Sequence, residues 1–104
     1  MANFKLNPNP TFWVKTKVRA PGGDEAEFEV EYRHKGKEAL KAFLEAANGR
    51  EESAVLGEIV AGWRGMDAEF SADNLKTLLD NYPGMANLML VDYGVELNKA
   101  RAGN

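Results

Sequence analysis

The stretch at residues 55–79, VLGEIVAGWRGMDAEFSADNLKTLL, decides the fold of this chain because it joins two apolar runs through a short turn around Trp63. In the first run, apolar side chains recur at the spacing of a core-facing helix, which predicts a helix at about 53–62. In the second run, Ser71 has the side chain of a helix N-cap, and Pro83 ends the pattern. We therefore predict two helices that hold the Trp63 indole between them.

Two stretches upstream alternate between apolar and charged residues, TFWVKTKVR at 11–19 and EAEFEVEYRHK at 25–35. Alternation with a period of two is typical of strands with one buried face. Pro21, Gly22 and Gly23 lie between the two stretches and favour a reversing loop. The pattern predicts an antiparallel hairpin in which Lys and Arg of the first strand face the Glu row of the second. A lone hairpin is marginal in water, so helices must cover its apolar face.

Further helices are expected at about 37–47 and 84–99. Together the patterns predict an α+β fold, an N-terminal antiparallel β-hairpin followed by about four α-helices, in a single small domain. A chain of 104 residues suits one domain. The domain is expected to span residues 11–100, after an irregular lead-in at 1–10 and before a frayed tail at 101–104.

The predicted core consists of apolar side chains that recur at strand or helix spacing. It comprises Phe12, Val14, Phe28, Val30, Leu40, Phe43, Leu44, Leu56, Ile59, Val60, Trp63, Phe70, Leu75, Leu78, Leu79 and Leu90. Gly62 and Gly65 flank Trp63, and residues without a side chain allow an indole to pack closely. Trp63 is therefore expected at the centre of the core.

Composition limits the classes of function that the chain can have. It has 13 Lys and Arg against 16 Asp and Glu, and this balance opposes general binding to nucleic acid, which depends on cations that contact phosphates. Cysteine is absent, which excludes disulfides and thiolate metal sites. The N-terminus lacks a signal-peptide pattern, and no apolar stretch approaches the roughly 20 residues that cross a bilayer. We expect a cytoplasmic protein without membrane contact.

No sequence pattern predicts a catalytic, cofactor-binding or metal site. His34 is the only histidine, and no spacing places further ligands or a carboxylate beside it. The acidic pairs Glu51-Glu52 and Asp67/Glu69 lie in polar surroundings, whereas acid–base catalysis needs carboxylates in unequal environments. The sequence contains neither a phosphate-loop motif nor a GxSxG motif. We expect no enzyme activity, no cofactor and no metal.

Trp13 is one candidate for contact with a partner. It shares a strand face with Lys15, Lys17 and Arg19, a combination that can stack on single-stranded nucleic acid. The neighbouring Glu row opposes such binding because it cancels the positive field. The indole could instead pack on the lysine stems or contact another protein.

The last predicted helix is the second candidate, because it is apolar on all sides between Leu88 and Val91. Such a helix is buried by several neighbours or covered by a partner. Its methionines suit a core, and they also suit an adaptable binding surface because thioethers repack readily. The candidate partner-binding residues are Trp13, Met85, Leu88, Met89 and Tyr93.

Two segments carry a family resemblance. IVAGWRGM at 59–66 and FSADNLKTLLDNYPGM at 70–85, followed by Tyr93, resemble the tail assembly chaperones of long-tailed, siphovirus-type bacteriophages. In that family a helix ends in a Gly-Trp pair, and an Asn-Leu-x-x-Leu-Leu helix follows a Phe-Ser N-cap. The similarity extends over residues 11–93 and rests on structural motifs.

The resemblance implies a non-enzymatic chaperone of the bacterial host cytoplasm. Such a chaperone binds the phage tape measure protein and keeps it soluble during tail assembly, and self-association is open. Two other classes of function compete with it. One is a structural tail or head-completion protein of the virion, and the other is a small nucleic-acid or host-factor binding protein that uses Trp13, Lys15 and Lys17. We expect a protein partner, with neither nucleic acid nor membrane.

Overall fold

Three strands and four helices occupy the part of the chain that the computed structural model describes, residues 4–99. In chain order they are β1 (Thr11–Arg19), β2 (Glu25–Arg33), α1 (Lys37–Ala46), α2 (Glu52–Ile59), β3 (Val60–Arg64), α3 (Ala72–Asn81) and α4 (Met85–Leu97). The predicted α+β fold is confirmed. Within the lead-in, residues 4–10 form neither helix nor strand. The predicted tail at 101–104, and the ends of the predicted lead-in and domain at 1–3 and 100, lie outside the described residues.

The hairpin of β1 and β2 has the predicted antiparallel pairing along the full length of both strands. Lys15 lies opposite Glu29 and Lys17 lies opposite Glu27, so the predicted rows of opposite charge are confirmed. Gly22 in the connecting turn has φ of 100°, a left-handed backbone that residues with a side chain disfavour. The register places the apolar side chains of both strands on one face of the sheet.

A third strand corrects the sequence prediction at 53–62. The helix α2 ends at Ile59, and β3 pairs antiparallel with β2, with Val60 opposite Tyr32 and Trp63 opposite Val30. Residues three apart in a regular strand point to opposite faces, but a bulge adds one residue, Ala61, between them. Val60 and Trp63 therefore both face the core. Their spacing of three imitates a helix, which is why the prediction of Trp63 in a turn between two helices was wrong.

The helices cover only one face of the sheet. α4 lies over β1, α2 contacts β2 and β3, and α3 packs on α2 and α4. Helix α3 begins at the predicted N-cap, where Ser71 Oγ accepts a hydrogen bond of 3.0 Å from the backbone N–H of Asn74. The other face of the sheet carries charged side chains that are open to solvent. Across residues 4–99, no helix combines the length and apolarity needed to cross a membrane.

The core lies between the sheet and the helices. Of the expected core residues, those that are buried are Phe28, Val30, Phe43, Leu56, Ile59, Val60, Trp63, Leu75, Leu78 and Leu79. Those that are partly buried against the core are Phe12, Val14, Leu40, Phe70 and Leu90. Leu44 is 53% exposed, so its predicted core position was wrong. Helix α1 buries only Phe43, and the next side chain along a helix points about 100° away.

Candidate functional site

The residues with acid–base or metal-binding chemistry lie apart on the surface. His34 is exposed, and its backbone N–H donates to the carbonyl oxygen of Pro10 at 2.9 Å. The side chains of Glu51, Asp67 and Glu69 are also exposed. Within residues 4–99, no group of three His, Cys, Asp or Glu residues could hold a metal ion. The surfaces that could bind a partner are the two sides of α4, the sheet face around Trp13 and a cleft at the end of the sheet.

The inner face of α4 is attached to the sheet. Met85, Met89 and Tyr93 are 6%, 0% and 1% exposed, respectively. The hydroxyl of Tyr93 donates a 2.7 Å hydrogen bond to the backbone carbonyl of Arg33, and that of Tyr32 donates to the carbonyl of Met89 at 3.3 Å. Of the two alternatives left open for the last helix, core or binding surface, the burial of these three candidate partner-binding residues matches the core.

An aromatic cluster reinforces this attachment. The rings of Phe12 and Tyr93 are stacked with centroids 6.0 Å apart, and the ring of Tyr32 lies 5.2 Å from that of Tyr93. Burial raises the pKa of Tyr93 to about 12, and burial also raises the pKa of Tyr32. Both phenols are therefore protonated and able to donate at neutral pH.

The outer side of α4 presents an apolar stripe to solvent. Val91 and Val95 are 52% and 53% exposed, and Leu88 is partly buried beside them. At positions i, i+3 and i+7, the three side chains share one side of the helix over about 10 Å. We refer to Leu88, Val91 and Val95 as the α4 outer stripe. Sequence reasoning named Leu88 but not the two valines, because a helix that is apolar all round does not show which side is buried.

Trp13 lies on the open face of the sheet, so the sheet separates it from the α4 residues with which it was grouped. The guanidinium carbon of Arg64 lies 4.0 Å above the centroid of the Trp13 indole ring. Trp13 is 39% exposed. Arg64 also donates to both carboxylate oxygens of Glu29, at 2.9 and 3.3 Å. These hydrogen bonds hold the pKa of Glu29 below its ordinary value. Trp13 is thus part of a surface of mixed charge, with one side of its ring covered by an arginine.

A cleft of about 430 Å³ opens at the end of the sheet where β1 ends and β2 begins. Its apolar floor is formed by Phe28, Trp63, Met66, Leu78, Tyr82 and Met85. The sequence did not predict this cleft, because its walls come from the hairpin, the segment after β3, and helices α3 and α4. The one local indication of it is the pair Gly65-Met66, because a glycine at this position lets the chain turn beside the indole of Trp63.

Trp63 shapes the base of the cleft. Its indole Nε1–H donates to the carbonyl oxygen of Ala68 at 2.8 Å, and its ring meets that of Phe70 edge-on with centroids 5.1 Å apart. Gly65 has φ of 84°, and a Cβ there would lie 3.5 Å from the Cα of Phe28. The chain can therefore turn sharply after β3 and fold the segment 65–70 around the indole.

The comparisons with known proteins bear on the whole chain. The family model described as "Phage tail assembly chaperone" matches residues 1–104. No curated protein and no solved structure matches the sequence. The family match covers every residue of the chain, including the segments 59–66 and 70–85 that carry the resemblance. The chain belongs to the phage tail assembly chaperone family.

Proposed function

We propose that this tail assembly chaperone binds the phage tape measure protein through the α4 outer stripe and keeps it soluble until the tail assembles. It does so in the cytoplasm of the bacterial host and without enzyme activity. The observation that carries the proposal is the half-exposure of Val91 and Val95 on the side of α4 that faces away from the core. Apolar side chains aligned on one side of a helix form a seam that suits another apolar helix.

The stripe is presented by a helix that is held in place. Two tyrosine hydroxyls bond to backbone carbonyls at the inner side of α4, and Met89 and Tyr93 are fully buried there. Because a helix anchored in this way is already ordered, binding of a client costs little conformational entropy. The formal charge of −3 favours solubility of the complex after the apolar client surface is covered.

The proposed contacts differ from the five residues named from sequence. While α1 is in place, Met85, Met89 and Tyr93 could reach a client only if α4 left the sheet, which would break the tyrosine hydrogen bonds. Leu88 belongs to the stripe, and Trp13 is retained as a second contact on the opposite side of the molecule.

Co-expression with the tape measure protein of the same phage tests the proposal. The wild-type chain should give a soluble complex with the tape measure protein. The Val91→Gln/Val95→Gln variant should itself remain folded but leave the tape measure protein insoluble. Leu44→Gln is the matched control, because Leu44 is an equally exposed apolar residue on α1. A tape measure protein that stays insoluble with the wild-type chain, or that is solubilised equally by the double variant, would contradict the proposal.

Mass spectrometry of purified virions distinguishes this function from that of a structural tail or head-completion protein. A chaperone should be absent from mature particles, since its client is then enclosed by the tail tube. Recovery of the chain in stoichiometric amounts from virions would favour the structural alternative.

A further inference from the structure

Helix α1 is attached to the rest of the protein by little more than one side chain. Phe43 is its only buried residue, and the ring of Phe43 meets that of Tyr93 edge-on with centroids 6.4 Å apart. Leu40 and Ala47 are partly buried against the core. In the described part of the chain, no side chain of α1 forms a hydrogen bond or a salt bridge. Helix α1 is therefore held more weakly than α4, which two tyrosine hydrogen bonds join to the sheet.

The two ends of α1 add little stability to the helix. Gly36 is the N-cap, and it has no side chain that could accept a hydrogen bond from the first turn. Glu45 places a negative charge in the last turn, where the helix dipole favours a cation. A helix of ten residues is marginal in water without tertiary contacts. If Phe43 leaves the core, α1 should therefore unfold as a unit.

The surface that α1 covers lies on one side of α4. Tyr93 contacts Phe43, and a pocket of about 180 Å³ is lined by Ala47 together with Ala86 and Leu90. Ala86, Leu90 and Tyr93 occupy positions i, i+4 and i+7, so they share one side of the helix. We refer to these three residues as the α1 seat. The residue that follows Leu90 belongs to the α4 outer stripe, so the seat adjoins the surface proposed to bind the client.

We propose that α1 is a displaceable cover, and that an amphipathic helix of the client takes its place on the α1 seat. The chemistry of α1 itself defines this occupant. The seat already holds a helix with apolar side chains at i, i+3 and i+7, and the middle one, Phe43, is aromatic. This inference rests on the proposed function, and it extends the client-binding surface from the outer stripe to the neighbouring side of α4.

The cover keeps the seat out of water while no client is bound. Without it, the seat and the outer stripe would form one larger apolar patch, and such patches favour unspecific association. Burial of one Phe side chain favours the docked over the released helix by about 10- to 150-fold. A client that binds only the open state loses apparent affinity by the same factor. Contacts with both the stripe and the seat can offset that loss.

Hydrogen exchange of the full-length chain measures the release of α1. Its amides should exchange at least about tenfold faster than those of β2, at a rate that is independent of protein concentration. Phe43→Ala should leave α1 without measurable protection while β2 remains protected. Gly36→Asp supplies an N-cap acceptor outside the seat and should slow exchange in α1 about threefold. Leu44→Gln is the matched control, because Leu44 is exposed on the same helix, and it should change nothing.

Two results of this experiment would overturn the proposal. One is exchange of α1 only together with the core, which would make α1 an integral part of the cooperative unit. The other is protection of α1 that rises with protein concentration, since a second copy would then hold the helix.

A labelled synthetic peptide with the sequence of residues 36–49 tests whether the seat accepts a helix that is not part of the chain. By fluorescence anisotropy it should bind the Phe43→Ala protein at least about tenfold more tightly than the wild type, whose own α1 competes for the seat. The same peptide with Phe43→Ala should not bind, and the peptide with Leu44→Gln should bind like the parent peptide. Absence of binding to the Phe43→Ala protein, or equal binding to both proteins, would overturn the proposal.

Hydrogen exchange of the co-purified complex with the tape measure protein tests the client as the occupant. In the complex, amides of α1 should exchange faster than in the free chain, whereas those of α4 should exchange more slowly. Exchange of α1 that is unchanged or slower in the complex would overturn the inference and leave the outer stripe as the binding surface. Absence of any complex with the wild-type chain would overturn the proposed function together with this occupant. The exchange and peptide results on the chain alone tell the two failures apart.

Discussion

The hydroxyl of Tyr93 on α4 donates a 2.7 Å hydrogen bond to the backbone carbonyl of Arg33 at the end of β2. This bond joins the last helix to the central strand through two residues that are 60 positions apart in the chain. It also determines which side of α4 faces the sheet, and hence which apolar residues remain on the surface.

The loss of this bond should lower stability. We expect Tyr93→Phe to reduce the free energy of unfolding by about 1 kcal/mol, the usual contribution of one such hydrogen bond. Chemical denaturation measures the change. Tyr82→Phe is the control, because Tyr82 is 37% exposed and its substitution should change the free energy of unfolding by less than about 0.5 kcal/mol. Equal effects of the two substitutions would show that the hydrogen bond contributes nothing.

In the alkaline range, the free energy of unfolding should also depend on pH through Tyr93. Burial raises the pKa of Tyr93 from 10.0 to about 12, so the folded state holds its proton more tightly than the unfolded state does. The resulting stabilisation is fully present below pH 10 and is lost as pH rises towards 12. Denaturation curves between these two pH values should show a fall in stability that is shallower for Tyr93→Phe. An identical pH dependence in the two proteins would contradict the prediction.

Trp63→Ala should be among the most damaging substitutions in the chain. We expect it to cost about 3–5 kcal/mol, because it leaves a cavity where a buried indole contacts Phe70 and Ala68. Trp13→Ala is the comparison on the open face of the sheet, where we expect a loss of about 1 kcal/mol. Thermal and chemical denaturation check both. If the Trp63→Ala protein were folded with unchanged melting and failed only in client binding, the assignment of Trp63 to the core would be wrong.

The glycines of the central stretch should respond in opposite directions to alanine. Gly65→Ala should cost about 1–2 kcal/mol, because a side chain is strained at its φ of 84°. Gly57→Ala should instead stabilise the protein by about 0.5–1 kcal/mol, because Gly57 is helical and no atom lies within 4 Å of the added Cβ. The denaturation midpoint should therefore fall for Gly65→Ala and rise for Gly57→Ala. Midpoints that shift in the same direction in both variants would contradict the difference in backbone conformation between the two glycines.

Single-stranded nucleic acid should not bind the Trp13 face at physiological salt. Arg64 covers one side of the indole and is itself held by Glu29, and the Glu row opposes phosphates. Fluorescence anisotropy with labelled single-stranded oligonucleotides measures this interaction. Binding that weakens with salt and is abolished by Trp13→Ala would instead support the nucleic-acid alternative.

Local patterns in the sequence were enough for most of the fold. Alternation of apolar and charged residues predicted β1 and β2 together with their pairing, because the two faces of a strand have a strict period of two. Ser71 and Pro83 marked the ends of α3 through capping and the missing proline N–H. The motifs at 59–66 and 70–85 indicated the family, which the match over the whole chain confirms.

The third strand could not be predicted in the same way. Val55, Leu56, Ile59, Val60 and Trp63 follow a helical spacing, yet the chain changes from helix to strand within that series. The bulge at Ala61 exists only because β2 offers a free edge against which Val60–Arg64 can pair. Pairing of this kind depends on contacts distant in sequence, which local periodicity does not contain.

The sequence by itself thus determined the charged open face of the hairpin, the two ends of α3 and the family. Only the tertiary structure decided the buried side of α4, the exposure of Leu44 and the cleft around Trp63. The physical reason is that α4 is apolar on all sides between Leu88 and Val91, so the choice between core and surface depends on where Tyr32, Tyr93 and the sheet hold it. A helix with a polar side would have carried that information in its own residues.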